Sequence, residues 1–380
     1  MKAQRFVGQR MLRCGYTTGA CAAAAAKAAA YMLLLDEDPA SVSIGLADGA
    51  LLTLPVLDKK RDNDMASCAV QKDSGDDPDI TDGVLVYATL RRADAGISID
   101  GGAGVGRVSK PGLDQAVGEA AINSGPRRMI KQALEEVILS CGYEGGLAVE
   151  ISIPAGAALA EHTFNRRLGI VGGLSVLGTT GIVEPMSEAA LIDTIRAELA
   201  LLAAAGHHAV LLTPGNYGAD FCRHVLELNL KQHIKCGNFI GATISSAVEQ
   251  GFKHILLVGH IGKLVKLGIG LTNTHSRHGD GRMETLLACA LAAGAALPLL
   301  RELAASPTAD AGLALLREQD LLQATMAELG RRIDHHLRGW APPEVEIGFI
   351  CFSNAPEPGI LCHSANALGL VEMFQLECKQ

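Results

Sequence analysis

Residues 209–264 read AVLLTPGNYGADFCRHVLELNLKQHIKCGNFIGATISSAVEQGFKHILLVGHIGKL. Apolar runs at 209–213 and 254–258, with a short strand expected at 233–235, alternate with stretches of helical length at 217–230 and 239–249. A further helix begins at His260, and another, over 187–205, precedes the first run. Fully apolar strands separated by amphipathic helices read as βαβ units on a parallel sheet, because such strands must be covered on both faces. The spacing therefore predicts a Rossmann-like second domain. Beyond Arg282 the chain reads as helical to Leu337, and 344–352 reads as a last strand whose sheet the sequence does not assign.

Working outward toward the N-terminus, the pattern is less regular. Strands are expected over 41–46, 51–56, 66–71, 84–90 and 147–153, each β-rich and bounded by turn residues. Helices are expected over 20–35 and, after the break Asn123-Ser124-Gly125-Pro126, over 127–141. A glycine-rich stretch over 161–184 reads as a crossover. The fold class that follows is α/β with two domains: an N-terminal mixed α/β domain over 1–160, and a Rossmann-like βαβ domain with a helical C-terminal part over 161–380.

Composition bounds the function classes. At 380 residues, with 48% hydrophobic, 19% charged and 43 glycines, the chain can bury two cores and is not disordered. A net charge of −8 argues against a nucleic-acid binder. Ten cysteines occur without a C-x-x-C pair, so neither zinc-site spacing nor a disulfide framework is expected. The opening MKAQRFVGQRMLRCG lacks a signal-peptide core, and the alanine run at 20–30 is too short to span a bilayer. The cytoplasm is the expected compartment, with no membrane partner.

Six segments carry chemistry. RCGYTTGACAAAAAKAAA (13–30) has nine alanines among residues 20–30, so it reads as a thin, strongly helical segment capped by Thr17 and Thr18. Its free N–H groups would suit an anion. DGGAGVG (100–106) looks like a nucleotide loop, but the fingerprint needs a helix directly after it, and Pro111 follows instead. A substrate-lining loop is the better reading, with Arg107 and Lys110 available to a carboxylate. KDSGDDPDIT (72–81) places Asp73, Asp76, Asp77 and Asp79 within seven positions, a density that suits turns better than a calcium loop. TPGNYG (213–218) and GHIGKL (259–264) follow strands, where open α/β sheets bind ligands. NTHSRHGDGRME (273–284) collects His275, His278, Asp280, Arg282 and Glu284, suited to acid–base work or carboxylate binding rather than to a metal.

Together these segments, with GEAAINSGPRRMI (118–130), GGLSVLGTTGIVEPMSE (172–188) and GNFIG (237–241), resemble the cobalt-precorrin-5B C1-methyltransferases of anaerobic cobalamin biosynthesis. The resemblance covers residues 15–284 in the family's order. It implies methyl transfer from S-adenosylmethionine to C1 of a cobalt-containing, carboxylate-rich tetrapyrrole, giving cobalt-precorrin-6A. The cobalt belongs to the substrate, and no protein-bound metal is expected. The macrocycle carbon is itself the nucleophile, so positioning dominates and no triad is sought.

By that resemblance, Thr17, Thr18, Lys110, Arg127, Arg128, Lys263 and Arg282 are expected to hold the substrate's carboxylate arms. Pro214, Gly215, Asn216, Tyr217, Gly218, Gly259, His260 and Gly262 are expected at the cofactor. Asp280 or His275 is expected to perform any proton removal. The first domain is expected to meet the tetrapyrrole and the second the cofactor; a homo-oligomer is left open. The rival readings are a nicotinamide-dependent reductase and a non-catalytic corrinoid carrier. The reductase needs a ribose-binding acid about 20 residues beyond its glycine loop, and 229–235 offers none after TPGNYG.

Overall fold

The computed structural model describes residues 4–7 and 10–377. Two compact units meet in sequence between Glu188 and Ala189. The expected boundary at 160/161 falls too early for a physical reason. Ile170–Val171 pairs with Arg107–Val108, and Ile182–Val183 pairs with Gly15–Tyr16. These ladders bind the glycine-rich stretch to the first unit, so it is not a free crossover.

The first unit is built round helix α1 (Thr18–Leu34), whose alanines from Ala20 to Ala30 are all wholly inaccessible to solvent. A helix apolar all round must be covered all round. It packs on α2 (Ser124–Cys141), on the Ser41–Gly45 strand and on a five-stranded sheet. The sheet comprises β1 (Leu57–Arg61), β2 (Met65–Gln71), β3 (Leu85–Ala93), β4 (Ile97–Gly101) and β5 (Gly146–Ser152), in the order β1-β2-β3-β5-β4. All neighbours are antiparallel except β5 and β4. Val86, Ala88 and Leu90 alternate inward along β3, as a sheet covered on one face requires. Lys27 is the exception inside the helix. Its ammonium reaches out of the core to Glu136 Oε2 at 2.6 Å and to the Ser43 carbonyl at 2.8 Å.

In the second unit, α3 (Glu188–Ala204) leads to β6 (Ala209–Thr213), α4 (Asn216–His224), β7 (His233–Lys235), α5 (Ile240–Glu249) and β8 (His254–His260). A single turn, α6 (Ile261–Leu264), runs into a 3-10 segment, Val265–Ile269. Helices α7 (Arg282–Ala292), α8 (Leu297–Ala304), α9 (Ala309–Glu318) and α10 (Leu322–Trp340) precede β9 (Glu346–Ser353), β10 (Gly359–His363) and α11 (Ala367–Glu377). The sheet order is β7-β6-β8-β9-β10, with the first four strands parallel and β10 antiparallel at one edge. The strand without an assigned partner is thus β9, beside β8 near the centre of the Rossmann-like sheet. Helix α4 ends six residues before the expected 230, where Glu227 takes a left-handed φ of 53°.

Strand β6 connects outward to β7 on one side, whereas β8 connects to β9 on the other. The order therefore reverses between β6 and β8. At such a switch point the loops leaving adjacent strands part and open a crevice beyond the carboxyl ends.

Candidate active site

TPGNYG and GHIGKL are the loops that leave β6 and β8, one on each side of that crevice. Their glycines divide into two kinds. A Cβ on Gly218 would press on the Val258 carbonyl at 2.7 Å, and one on Gly259 would overlap Leu264, so these two serve helix–strand packing. Gly215 has open space where its Cβ would stand, with no heavy atom within 4 Å. Asn216 and Tyr217 are exposed at the start of α4, and Asn216 Oδ1 accepts from Lys235 Nζ at 2.8 Å.

Lys263 crosses the floor of this region. Its half-buried ammonium donates to the carbonyls of Pro214 (2.7 Å) and Gly237 (3.2 Å), tying the ends of β6 and β7 together. Burial lowers its pKa from the ordinary lysine value. His260 caps α6, its Nδ1 accepting the Gly262 N–H at 3.2 Å. In the neutral ring Nε2 then carries the proton, and it stands 3.8 Å from Asp310 Oδ1. Asp310, on α9, also accepts from Ser353 Oγ at 2.8 Å, at the end of β9. Neither Asp310 nor Ser353 carries a sequence signal. Only the placement of β9 beside β8 brings them to the crevice.

The loop over 273–281 belongs to the same edge. The Thr274 N–H donates to the Asn238 carbonyl at 2.9 Å, and Gly241 N–H to the Thr272 carbonyl at 2.9 Å, just past β7. Buried Lys266 holds the loop from below, donating to the carbonyls of Thr274 (3.1 Å) and Gly279 (3.2 Å) and lying 3.6 Å from Asp280. Both carboxylate oxygens of Asp280 accept from Arg282, at 2.5 and 2.8 Å. That pairing, with Lys266 adding to it, holds the Asp280 carboxyl below its ordinary range, the opposite of what a base requires. His275 Nδ1 accepts the Arg277 N–H at 3.2 Å, which leaves Nε2 as a donor. The expected proton-removing role therefore finds no support at either residue, and Arg282 has its charge matched within the loop.

In the first unit most expected substrate contacts are engaged internally. Thr17 Oγ1 accepts the Ala20 N–H, Thr18 exchanges hydrogen bonds with the Leu177 backbone, and Gly19 N–H donates to Leu177 O at 2.9 Å. The loop through Leu177 thus closes the helix start that was expected to receive an anion, and the alanines offer no exposed face. Arg127 donates to the carbonyls of Ile122, Ile99 and Ala120. Arg107 grips Asp100 through both guanidinium nitrogens, at 2.8 and 3.0 Å. Lys110 and Arg128 are exposed and make no ion pair among the described residues.

The acidic run is conformational, as expected. Asp73 pairs with Arg13, Asp76 accepts the Arg13 N–H, Asp77 the Met186 N–H, and Asp79 pairs with buried Lys72 at 2.5 Å. After DGGAGVG comes the Arg107–Val108 strand rather than a helix, which removes the dinucleotide-loop geometry.

Burial pushes the thiols of Cys21, Cys68, Cys222 and Cys236 up to about 12, so none of them is a thiolate nucleophile near neutral pH. Cys378 lies outside the described residues. Among the described residues no group of three or more His, Cys, Asp or Glu is placed to hold a metal ion, and no helix is long and apolar enough to cross a membrane.

The CbiD family model matches residues 6–185, and the model of the CbiD C-terminal domain matches 273–359. The chain is 43% identical over 374 residues to the cobalt-precorrin-5B C(1)-methyltransferase of Ruminiclostridium cellulolyticum, covering 98% of this chain and 97% of that one. To the enzyme of the same description from Alkaliphilus metalliredigens it is 42% identical over 369 residues, covering 97% and 96%. A 1.9 Å crystal structure of a cobalamin biosynthesis protein (cbiD) from Archaeoglobus fulgidus is 27% identical, covers 73% of this chain and 87% of its own, and superposes with a TM-score of 0.40. With relatives this similar along nearly its whole length, the chain belongs to the CbiD family.

Proposed function

We propose that this protein is an S-adenosylmethionine-dependent C-methyltransferase that converts cobalt-precorrin-5B to cobalt-precorrin-6A by methylation at C1. The carrying observation is the identity of 43% to a named cobalt-precorrin-5B C(1)-methyltransferase across 98% of the chain. When bound, S-adenosylmethionine supplies an electrophilic methyl group on a sulfonium. The C1 electron pair forms the new carbon–carbon bond, and the pair of the breaking S–CH3 bond stays on sulfur. The protein's task is alignment of the two reactants at roughly 3–3.5 Å.

The donor set beyond the β6 and β8 ends fits that cofactor. Lys263 suits a carboxylate, Asp310 suits hydroxyl donors, Tyr217 offers an exposed ring, and Gly215 leaves room against the backbone. Pro214, Asn216, Gly218, Gly259, His260 and Gly262 frame the same place. Lys263 thereby moves from the expected substrate set to the cofactor. Of the first-unit cations expected at the substrate, Lys110 and Arg128 are the two left to meet its carboxylates. No observation favours the reductase or the carrier. The test is to incubate the protein with cobalt-precorrin-5B and methyl-labelled S-adenosylmethionine. A mass gain of one labelled methyl on the corrinoid is expected, and binding without that gain would leave a carrier.

A further inference from the structure

The carboxyl edge of the second sheet is electrically lopsided. On the β6–β7 side stand Lys263, whose ammonium spends two donors on Pro214 and Gly237 and keeps a third, and exposed Lys235. On the β8–β9 side stands Asp310. Its Oδ1 is fixed by Ser353, itself 2% exposed, while Oδ2 makes no hydrogen bond among the described residues. His260 lies beside Asp310, edge-on to Phe352 with ring centres 5.5 Å apart. The Tyr217 ring, 67% exposed, stands 6.0 Å from the His260 ring.

We propose that this polarity sets the direction in which the methyl donor lies: its methionyl carboxylate on Lys263, its ribose hydroxyls on Asp310, and its base toward Tyr217. The inference rests on the methyl-donor reading above and adds to it an orientation and one residue, Ser353. The choice of direction is electrostatic. The amino-acid end carries an ammonium and a carboxylate on one carbon. Seating it at Asp310 would bring two carboxylates together, whereas the ribose is neutral and offers two adjacent O–H donors to one carboxylate. The flat base then lies one sugar away, where the structure presents an exposed aromatic ring. Ser353 is a positioning residue: it holds Oδ1 and leaves Oδ2 free.

Titration calorimetry on the full chain separates the two ends. S-adenosylhomocysteine carries both, and 5′-methylthioadenosine lacks the amino-acid end. Asp310→Asn is expected to weaken both ligands by about ten- to a hundredfold. Lys263→Met is expected to weaken S-adenosylhomocysteine to a similar degree and leave 5′-methylthioadenosine within about threefold. Lys263 also ties two loops, so Lys263→Arg, which keeps the charge, is the companion and is expected to recover most of the affinity. Ser353→Ala is expected to weaken 5′-methylthioadenosine less than Asp310→Asn does. An Asp310→Asn protein that loses S-adenosylhomocysteine but retains 5′-methylthioadenosine would reverse the direction and overturn the proposal. Unchanged affinities in folded Asp310→Asn and Lys263→Met would overturn it while leaving the methyl-donor reading intact. A wild-type protein that binds neither ligand would bring down that reading first.

Discussion

Two glycine-rich loops of this chain, DGGAGVG (100–106) and TPGNYG (213–218), look alike on paper and are used in opposite ways. In the first, the missing side chains let backbone meet backbone. Gly104 has a left-handed φ of 73°, and a Cβ there would overlap the Ile153 carbonyl. A Cβ on Gly173 would in turn overlap the backbone of Gly104. In the second loop Gly218 packs, but Gly215 faces open space in extended backbone. Glycine content alone therefore does not distinguish a fold-closing loop from a ligand-facing one. What distinguishes them is whether a second chain segment already fills the space.

The contrast is easiest to break by substitution. Gly104→Ala combines a left-handed backbone with a collision against a carbonyl. It is expected to destabilise the first unit by about 3 kcal/mol or more, enough to suppress folded protein at 37 °C (roughly, for a marginally stable domain). Gly215→Ala should stay within about 0.5 kcal/mol of wild type in chemical denaturation. Equal losses at both positions would end the distinction.

At the open position, Gly215→Val is expected to leave the melting temperature near wild type. It should nonetheless lower S-adenosylhomocysteine affinity by about tenfold or more, through lost room against the backbone. Unaltered affinity would move the cofactor away from this loop.

Smaller effects sharpen the closed unit. Glu136→Ala strands the Lys27 ammonium with only the Ser43 carbonyl, an expected cost of about 1–3 kcal/mol that Glu136→Gln should largely avoid. The Lys72–Asp79 pair predicts a pH signature. Burial opposes ionisation of Asp79, but Lys72 and Thr81 outweigh it and hold the carboxyl below its ordinary 3.8. A depressed folded value means the stabilisation is present above the ordinary carboxylate range and is lost as pH falls through the folded value. Acid denaturation of wild type and Asp79→Asn should converge only below pH 3.8. Smallest of all, Asp280→Asn should leave the single-turnover methyl-transfer rate within a few-fold while shifting the melting temperature, since the carboxylate serves Arg282 and Lys266. A loss of a hundredfold or more in that rate would restore Asp280 as a base.

Much of the second unit was legible in sequence because its signals are local. The strand limits Ala209–Thr213 and the loops after β6 and β8 follow from short apolar runs ended by glycine or proline. The first unit was legible in its elements but not in their use. Alanine run, cap residues and glycine loop were all visible. The sequence could not say that Leu177 and its neighbours occupy the helix start, that Arg127 is consumed by three carbonyls, or that residues 161–184 return to the first unit. Those facts depend on partners between 5 and 159 positions away in sequence.

Sequence by itself determined the family, the α/β class and the list of loops worth examining, because motif order and strand–helix periodicity are properties of consecutive residues. Tertiary structure alone decided which polar groups remain available for chemistry. Thr18 and Arg127 are engaged by residues the fold brings to them, while Gly215, Lys263 and Asp310 retain open space or a spare donor or acceptor. The physical reason is that hydrogen bonds and packing contacts form in space, so a residue's freedom to bind depends on neighbours that its own stretch of sequence does not contain.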